Sequence, residues 1–454
     1  MTPALLLSAP PRIIRDAARA VKRKVVLMIE RVTAGTLSAL LGLPGLVVTE
    51  YAREPRTGES EVLHLFCQHE HDVAVCPTCE QVSSAVHDST ERGIRHLDIW
   101  GKVTFVHFPA RRFDCGHCHK PFREELTWLE SQRRESTAYE LHVYEQCQQT
   151  DQTSVAEREG LHPETVKTIF QRWATRATRE RQGLVRCLGV DEIALHKGHQ
   201  HFAMVLSDLE RHGVIAVLAE RSQAAFEQWL DSLSEAERKA IRVVAMDRWG
   251  PYRGVVKAKL SHADAPAPPG RRPGTGAIVA DRFHVTKQLN EAIAKIRCTL
   301  QAAAAPTAYE LLKGTRWILV RNRAELKPEE EAKLQAVLAA FPELRQAYGL
   351  KERFRTLADK IHDRPRAERF LRVWLYEAEA SGLLPLVKFA KTLRHWWDEF
   401  LNYFNEGFSS GVVEGLNNAI RAIIRRAFGY HVFEHFRLQV MVEQGQLTVS
   451  PPPI

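Results

Sequence analysis

Apolar and polar positions change period several times along the chain. Residues 1–50 carry little pattern apart from Arg12–Arg31, where basic side chains recur at helical spacing. That stretch reads equally as an arm that touches phosphates or as a solvated helix. Over residues 50–130, short apolar runs alternate with turn residues, which predicts short strands and turns. Residues 131–182 take helical spacing. At residue 186 the pattern returns to strands: Cys187–Leu195, His201–Leu209 and Gly213–Glu220 are β-rich runs parted by polar turns. A helix is predicted over Gln223–Ala240, a buried strand over Ile241–Asp247 and a helix over Pro251–Leu260. A Pro/Gly-rich loop follows over His262–Gly276, then a last buried strand over Ala277–Asp281. From Phe283 to about Glu406 the spacing is helical, and Trp396 and Trp397 are expected in the core of that stretch. The last helix is predicted at Gly411–Ala427, and the tail SPPPI is expected to fray. No internal repeat is visible.

Three strands with no helix between them predict an antiparallel meander, and strands alternating with helices predict parallel additions. Three strands, helix, strand, helix, strand is the element order of a ribonuclease-H-like core. With 454 residues the chain has room for about three domains. Its 44% apolar and 26% charged content argues against wholesale disorder. A net charge of +8 points to a polyanionic partner. No apolar run reaches the ~18 residues of a membrane span. The start, MTPALLLSAPPRII, lacks a basic leader and breaks at Pro10–Pro11, so no secretory signal is expected.

The eight cysteines are not spread like a disulfide framework, because four fall in two CxxC pairs, Cys76/Cys79 and Cys115/Cys118. A CxxC turn presents two thiolates from one knuckle, and two knuckles close a tetrahedron around Zn²⁺. Four protein ligands leave no open position, so such a zinc folds its module and does not catalyse. Cys67, His69, His71, His117 and His119 lie close by and remain alternative ligands. Cys147, Cys187 and Cys298 are expected as buried thiols. Arg111 and Arg112 are candidate phosphate contacts or solvated side chains.

Residues 154–174, SVAEREGLHPETVKTIFQRWA, carry a small residue (Ala156), a glycine (Gly160) and an apolar residue (Val166) at helix-turn-helix spacing. The competing reading is an ordinary helical hairpin. In the DNA-binding reading the second helix offers Thr165, Lys167, Thr168, Gln171, Arg172 and Arg176 to DNA, with Val166, Ile169, Phe170 and Trp173 in the core.

Three acids end or sit on predicted strands: Asp191, Asp247 and Asp281. Each follows an apolar run, where an unpartnered carboxylate is costly. Carboxylates on neighbouring strands can converge on hard cations. On the helix at Gly411–Ala427, Glu414, Asn417, Asn418, Arg421 and Arg425 form a polar face, and Val413, Leu416, Ile420 and Ile423 an apolar one. The acid opening that face can reach the sheet, while Asn417, Asn418, Arg421 and Arg425 are candidate DNA contacts. Trp249 and Tyr252 offer stacking surfaces for an unpaired base, with core packing the favoured role for Trp249.

The strings GVDE, MDRWGPY, ADRFHV and SSGVVEGLNNAIR, behind a CPTC/CGHC ribbon and a helix-turn-helix, resemble the ISL3 family of bacterial insertion-sequence transposases over about residues 60–445. The resemblance implies an α/β multidomain protein. Its expected parts are an extension (1–50), a zinc ribbon (51–130), a helix-turn-helix (131–182) and a ribonuclease-H-like core (183–284). A helical insertion (285–405), the returning core helix (406–445) and a tail (446–454) complete it. A DDE-type triad of Asp191, Asp247 and Glu414 would hold two Mg²⁺ (or Mn²⁺) and cleave and join DNA at terminal inverted repeats. Asp281 and His284 match an Asp-x-x-His of Mutator-like enzymes. The interval from Asp247 to Asp281 would also suit a mariner-like third acid, but the third acid of this fold comes from a helix after that strand, which favours Glu414. The implied partner is double-stranded DNA, at element ends and target, with no membrane. Pairing two ends calls for a homodimer or larger assembly, and the setting is the bacterial cytoplasm at the nucleoid. The alternatives are an inactive transposase-derived DNA-binding regulator and a metal-dependent nuclease without strand transfer.

Overall fold

The computed structural model describes residues 28–31, 38, 41–55, 61–177, 184–195, 201–247, 250–260, 277–280, 282–406 and 411–445. The chain parts between Thr178 and Arg179 into two units, each with its own core.

In the first unit, β1 (Met28–Arg31), β2 (Leu46–Glu54), β3 (Val62–His69), β7 (Lys102–Asp114) and β6 (Val86–Ile99) lie side by side in that order, and β8 (Pro121–Arg123) pairs with β7. β4 (Ala74–Val75) and β5 (Val82–Ser83) form a separate hairpin. The sequence predicts short strands here, whereas β6 and β7 run for 14 and 13 residues. Much of β6, from Val86 to Glu91, is exposed, so it has no apolar alternation to announce it. Leu65, Ile94, Val106 and Phe108 fill the core beneath the sheet with Trp128. Three helices follow: α1 (Thr137–Gln149), α2 (Gln152–Glu159) and α3 (Pro163–Arg176).

The second unit is built on a five-stranded sheet. β9 (Cys187–Ala194), β10 (Phe202–Asp208) and β11 (Gly213–Leu218) form an antiparallel meander, and β12 (Val243–Met246) and β13 (Ala277–Ala280) add parallel on the other side of β9. The spatial order is β11-β10-β9-β12-β13. The predicted helix over 223–240 is two: α4 (Gln223–Ser232) and α5 (Glu235–Ala240). Ser234 breaks it with a capping box, accepting from the Glu237 N–H while the Glu237 carboxylate accepts from its own. The Ser-x-x-Glu spacing was a legible signal for that start. α6 (Gly250–Lys259) packs with α4 on one face of the sheet, where Leu188, Val190, Met204, Phe226, Val244 and Tyr252 share a core.

α7 (Arg282–Ala303) leads into a helical body with a core of its own around Leu289, Leu357, Leu371, Trp374, Ala390 and Leu393. α8 (Pro306–Leu312), α9 (Arg316–Val320), α10 (Pro328–Ala340), α11 (Pro342–Lys360), α12 (Arg364–Ala380), α13 (Leu384–His395) and α14 (Trp397–Glu406) complete it. Trp397 packs on this body as expected, but Trp396 belongs to the sheet core beside Tyr252. Glu399 accepts from Arg253 Nε at 2.6 Å, and the Asn402 amide donates to the Ile278 carbonyl at 2.9 Å, so the exit from the insertion is tied back to the sheet. α15 (Gly411–Arg426) then crosses the other face of the sheet. It is not the last helix. α16 (Phe433–Gln444) follows, with Phe436, Leu438, Gln439, Val440 and Met441 all buried. A helix covered nearly all round shows no amphipathic period. Among the described residues no helix is long and apolar enough to cross a membrane.

Candidate functional site

The first candidate is the thiol cluster. Cys76 and Cys79 lie in the turn between β4 and β5, and Cys115 and Cys118 in the turn between β7 and β8. The ligand atoms of all four lie within 4.8 Å of one another, with Cys79 and Cys115 Sγ 3.6 Å apart. Zinc–sulfur bonds of about 2.3 Å in a tetrahedron require sulfurs about 3.8 Å apart, so the set fits. Backbone N–H groups point at the sulfurs: Cys118 donates to Cys115 Sγ at 3.3 Å, and the Thr78 N–H lowers the Cys76 thiol to about 7. Phe113 and Phe122 stack beneath the cluster and Ala74 closes it. Two of the alternative ligands are engaged elsewhere. Cys67 lies in the sheet core, where burial pushes its thiol up to about 12, and His69 bonds the Pro109 carbonyl. Cys147 and Cys187 are buried as expected, but Cys298 is exposed. Arg111 is buried against the Glu124 carboxylate through two hydrogen bonds and is no free phosphate contact, and Arg112 pairs with Asp88.

The second candidate is the three-helix module. Gly160 ends α2 in the left-handed region (φ 64°), a conformation that favours glycine. Pro163 sits in the first turn of α3, and His162 caps it. Val166, Ile169, Phe170 and Trp173 are buried, as the sequence predicts, and so are Val155 and Ala156. Thr165, Lys167, Thr168 and Gln171 are partly or fully exposed on α3, with Lys167 beside Glu164 at 3.1 Å. Arg176 is half exposed and paired with Glu130. Arg172 departs from the prediction: its guanidinium turns inward to Glu140, a carboxylate that is 1% exposed and also accepts from Trp173 Nε1. A buried acid demands such partners, which turns a presumed DNA contact into a strut of the module.

The third candidate is the carboxylate site. β9 and β12 are parallel with Val190 opposite Met246, so Asp191 and Asp247 are the next residues on adjoining strands. Side-chain alternation puts Cys187, Gly189 and Asp191 on the α15 face, as it does Val243 and Ala245 ahead of Asp247. Gly189 is what lets the helix approach: a Cβ there would lie 2.4 Å from Ser207 Oγ and 3.1 Å from Val413 on α15. Asp191 is held by two donors, the Glu192 N–H to Oδ1 at 2.7 Å and Asn417 Nδ2 to Oδ2 at 2.5 Å. Asp247 Oδ1 contacts His284 Nδ1 directly. Asp281 and Trp249 lie outside the described residues.

Glu414 is exposed, one turn before Asn417 on α15. Asn418, Arg421 and Arg425 are exposed on the same helix, as predicted. Asn417 is not: it is 3% exposed and faces the sheet, which moves it from DNA contact to partner of Asp191. Its Oδ1 is buried with no hydrogen-bond partner among the described residues. Tyr252 is buried in the core and offers no stacking surface.

The sequence reading passed over Glu192. Alternation turns it to the face opposite Asp191, where it pairs with Arg221 at 2.5 Å. Burial pushes its carboxyl up; Arg221 opposes this, and the charges of Asp247 and Asp191 add to the rise. The only legible signal was a second acid beside the first.

A family model described as "Transposase", of the ISL3 type, matches residues 188–440, more than half of the chain. One described as the zinc-finger of transposase IS204/IS1001/IS1096/IS1165 matches residues 72–118, and the helix-turn-helix domain of transposase family ISL3 matches residues 124–174. The chain is 28% identical over 401 residues to a transposase for insertion sequence element IS1001 of Bordetella parapertussis, covering 87% of this chain and 94% of that protein. It is 26% identical over 362 residues to a transposase for insertion sequence element IS1557 of Mycobacterium tuberculosis, covering 74% of this chain and 78% of that protein.

Proposed function

Since the chain belongs to the ISL3 family of transposases, we propose that it cuts and joins DNA with Asp191, Asp247 and Glu414 as a DDE triad. The observation that carries this reading is the in-register pair Asp191 and Asp247 under the helix that bears Glu414. The β11-β10-β9-β12-β13 order supports a ribonuclease-H-like core.

The three acids would hold two Mg²⁺ or Mn²⁺ ions, which when bound activate the attacking oxygen and stabilise the leaving one. The Glu192 N–H and the Asn417 amide fix the plane of the Asp191 carboxylate. His284 fixes Asp247 in the same way. Arg421 and Arg425, on the exposed face of α15, contact phosphates. The α3 residues Thr165, Lys167, Thr168 and Gln171 read the terminal repeats, and Arg176 adds charge. Pairing two ends calls for at least a dimer, working in the bacterial cytoplasm at the nucleoid.

The test is a supercoiled plasmid carrying the element's own ends, incubated with Mg²⁺ or Mn²⁺. Cleaved ends joined to target DNA support the reading. Cleavage without joining would make the protein a nuclease, and end binding without cleavage a regulator.

Asn417 supplies a sharper prediction. Asn417→Ala should lower kcat about 10–100-fold, the usual effect of losing a partner of a metal ligand, and raise the Mg²⁺ concentration needed. End binding should stay within twofold. A weaker Kd for the ends with unchanged Mg²⁺ dependence would restore Asn417 to the DNA contacts.

A further inference from the structure

Beyond the carboxylates, the end of the sheet carries a cavity of about 490 Å³ that this chemistry leaves unused. Leu195, just past β9, and Phe202, at the start of β10, form one wall. Glu220 and Arg221, just past β11, form the second, and Tyr430 and Phe433, in the turn after α15 and the start of α16, the third. Arg221 connects the cavity to the site: it pairs with Glu192, the neighbour of Asp191, and its guanidinium lies 5.5 Å over the Phe202 ring. Leu195 is four residues beyond Asp191 on one strand, a reach of about 13 Å at about 3.3 Å per residue. At 3.4 Å of rise per nucleotide, that is about four nucleotides of duplex.

The same turn holds a second anomaly. Phe428 is 100% exposed, and its backbone sits at φ 53° beside Gly429 at φ 101°. A bare phenyl ring in water and a left-handed backbone at a bulky residue are both unfavourable, and both fall on one side chain. Arg421 and Arg425 are exposed on the helix leading to it.

The chemistry of the walls selects the ligand. Glu220 disfavours a phosphate inside. With Arg221 paired to Glu192, aromatic walls carrying one carboxylate, Glu220, and two imidazoles, His201 and His431, suit a flat heterocycle with an exocyclic amino group, which the carboxylate accepts from. The arginines on α15 remain outside for the backbone. We propose that this cavity takes one nucleobase extruded from the duplex within about four nucleotides of the scissile phosphate, with Phe428 as the wedge that fills the vacated stack. Its position relative to the cut rests on the triad reading above.

The test uses the full chain and element-end duplexes carrying 2-aminopurine, one position at a time, at the four nucleotides on either side of the cut. Without added Mg²⁺, one position should brighten several-fold on binding. Phe428→Ala and Tyr430→Ala should each lower that rise at least about threefold with end binding within twofold. With Mg²⁺, Phe428→Ala should cleave intact duplex about tenfold more slowly and recover on a duplex with an abasic site at the bright position. No bright position, or brightening unchanged in both variants, overturns the proposal. Normal brightening with no cleavage in Mg²⁺ would sink the triad and leave the cavity standing. Cleavage with no brightening would do the reverse.

Discussion

Asp247→Asn should cut end cleavage by about a thousandfold or more while leaving end binding within twofold. The substitution keeps shape and removes one negative charge from a site whose work is holding cations. A loss of about 4 kcal/mol in transition-state stabilisation corresponds to that factor. Asp191→Asn should be at least as severe. Asp191 accepts from the Glu192 N–H and the Asn417 amide, and an amide in its place would turn an N–H against one of those donors. Glu414→Gln should behave like Asp247→Asn, because the exposed side chain contributes to no core. Asp281→Asn is the control: activity retained there and lost in Glu414→Gln assigns the third acid to α15. The reverse pattern would move it to Asp281, and full activity in any one of the three would remove that residue from the triad.

Removing zinc should unfold the thiol-bearing end of the first unit. A structural zinc contributes on the order of 10–16 kcal/mol at neutral pH, as much as or more than the whole stability of a typical domain. Here the cluster closes a small core, with only Ala74, Phe113 and Phe122 packed under four sulfurs. Cys76→Ser or strong chelation should therefore open residues 72–118 to proteolysis and abolish end binding, while the second unit keeps its protection. The checks are zinc content, expected at one per chain, and limited proteolysis. Protection unchanged with zinc gone would refute the role.

What the sequence revealed was chemistry fixed by spacing. The paired CxxC knuckles and Gly160 in its turn each need a residue type that little else can replace. What it hid was decided by burial. Asn417 has the chemistry of a DNA contact, yet it lies four residues after Val413, so the helix turns it toward the sheet. Arg172 follows the same logic, drawn inward by a buried Glu140 on another helix that no local pattern links to it. α16 escaped notice because it is covered on nearly every side, and β6 because so much of it is exposed. Trp396 was assigned to the insertion by position in the chain, although its ring completes the sheet core.

The parting of the chain at Thr178/Arg179 also sets an order in time. Domains fold as units, the N-terminal one first as the chain leaves the ribosome. The thiol site and the three-helix module are complete before any strand of the second sheet has been made. The helix carrying Glu414 is translated only after the whole helical body. On the reading proposed above, grip is therefore acquired long before the blade, and a product shortened inside the insertion is expected to occupy the ends without cutting them.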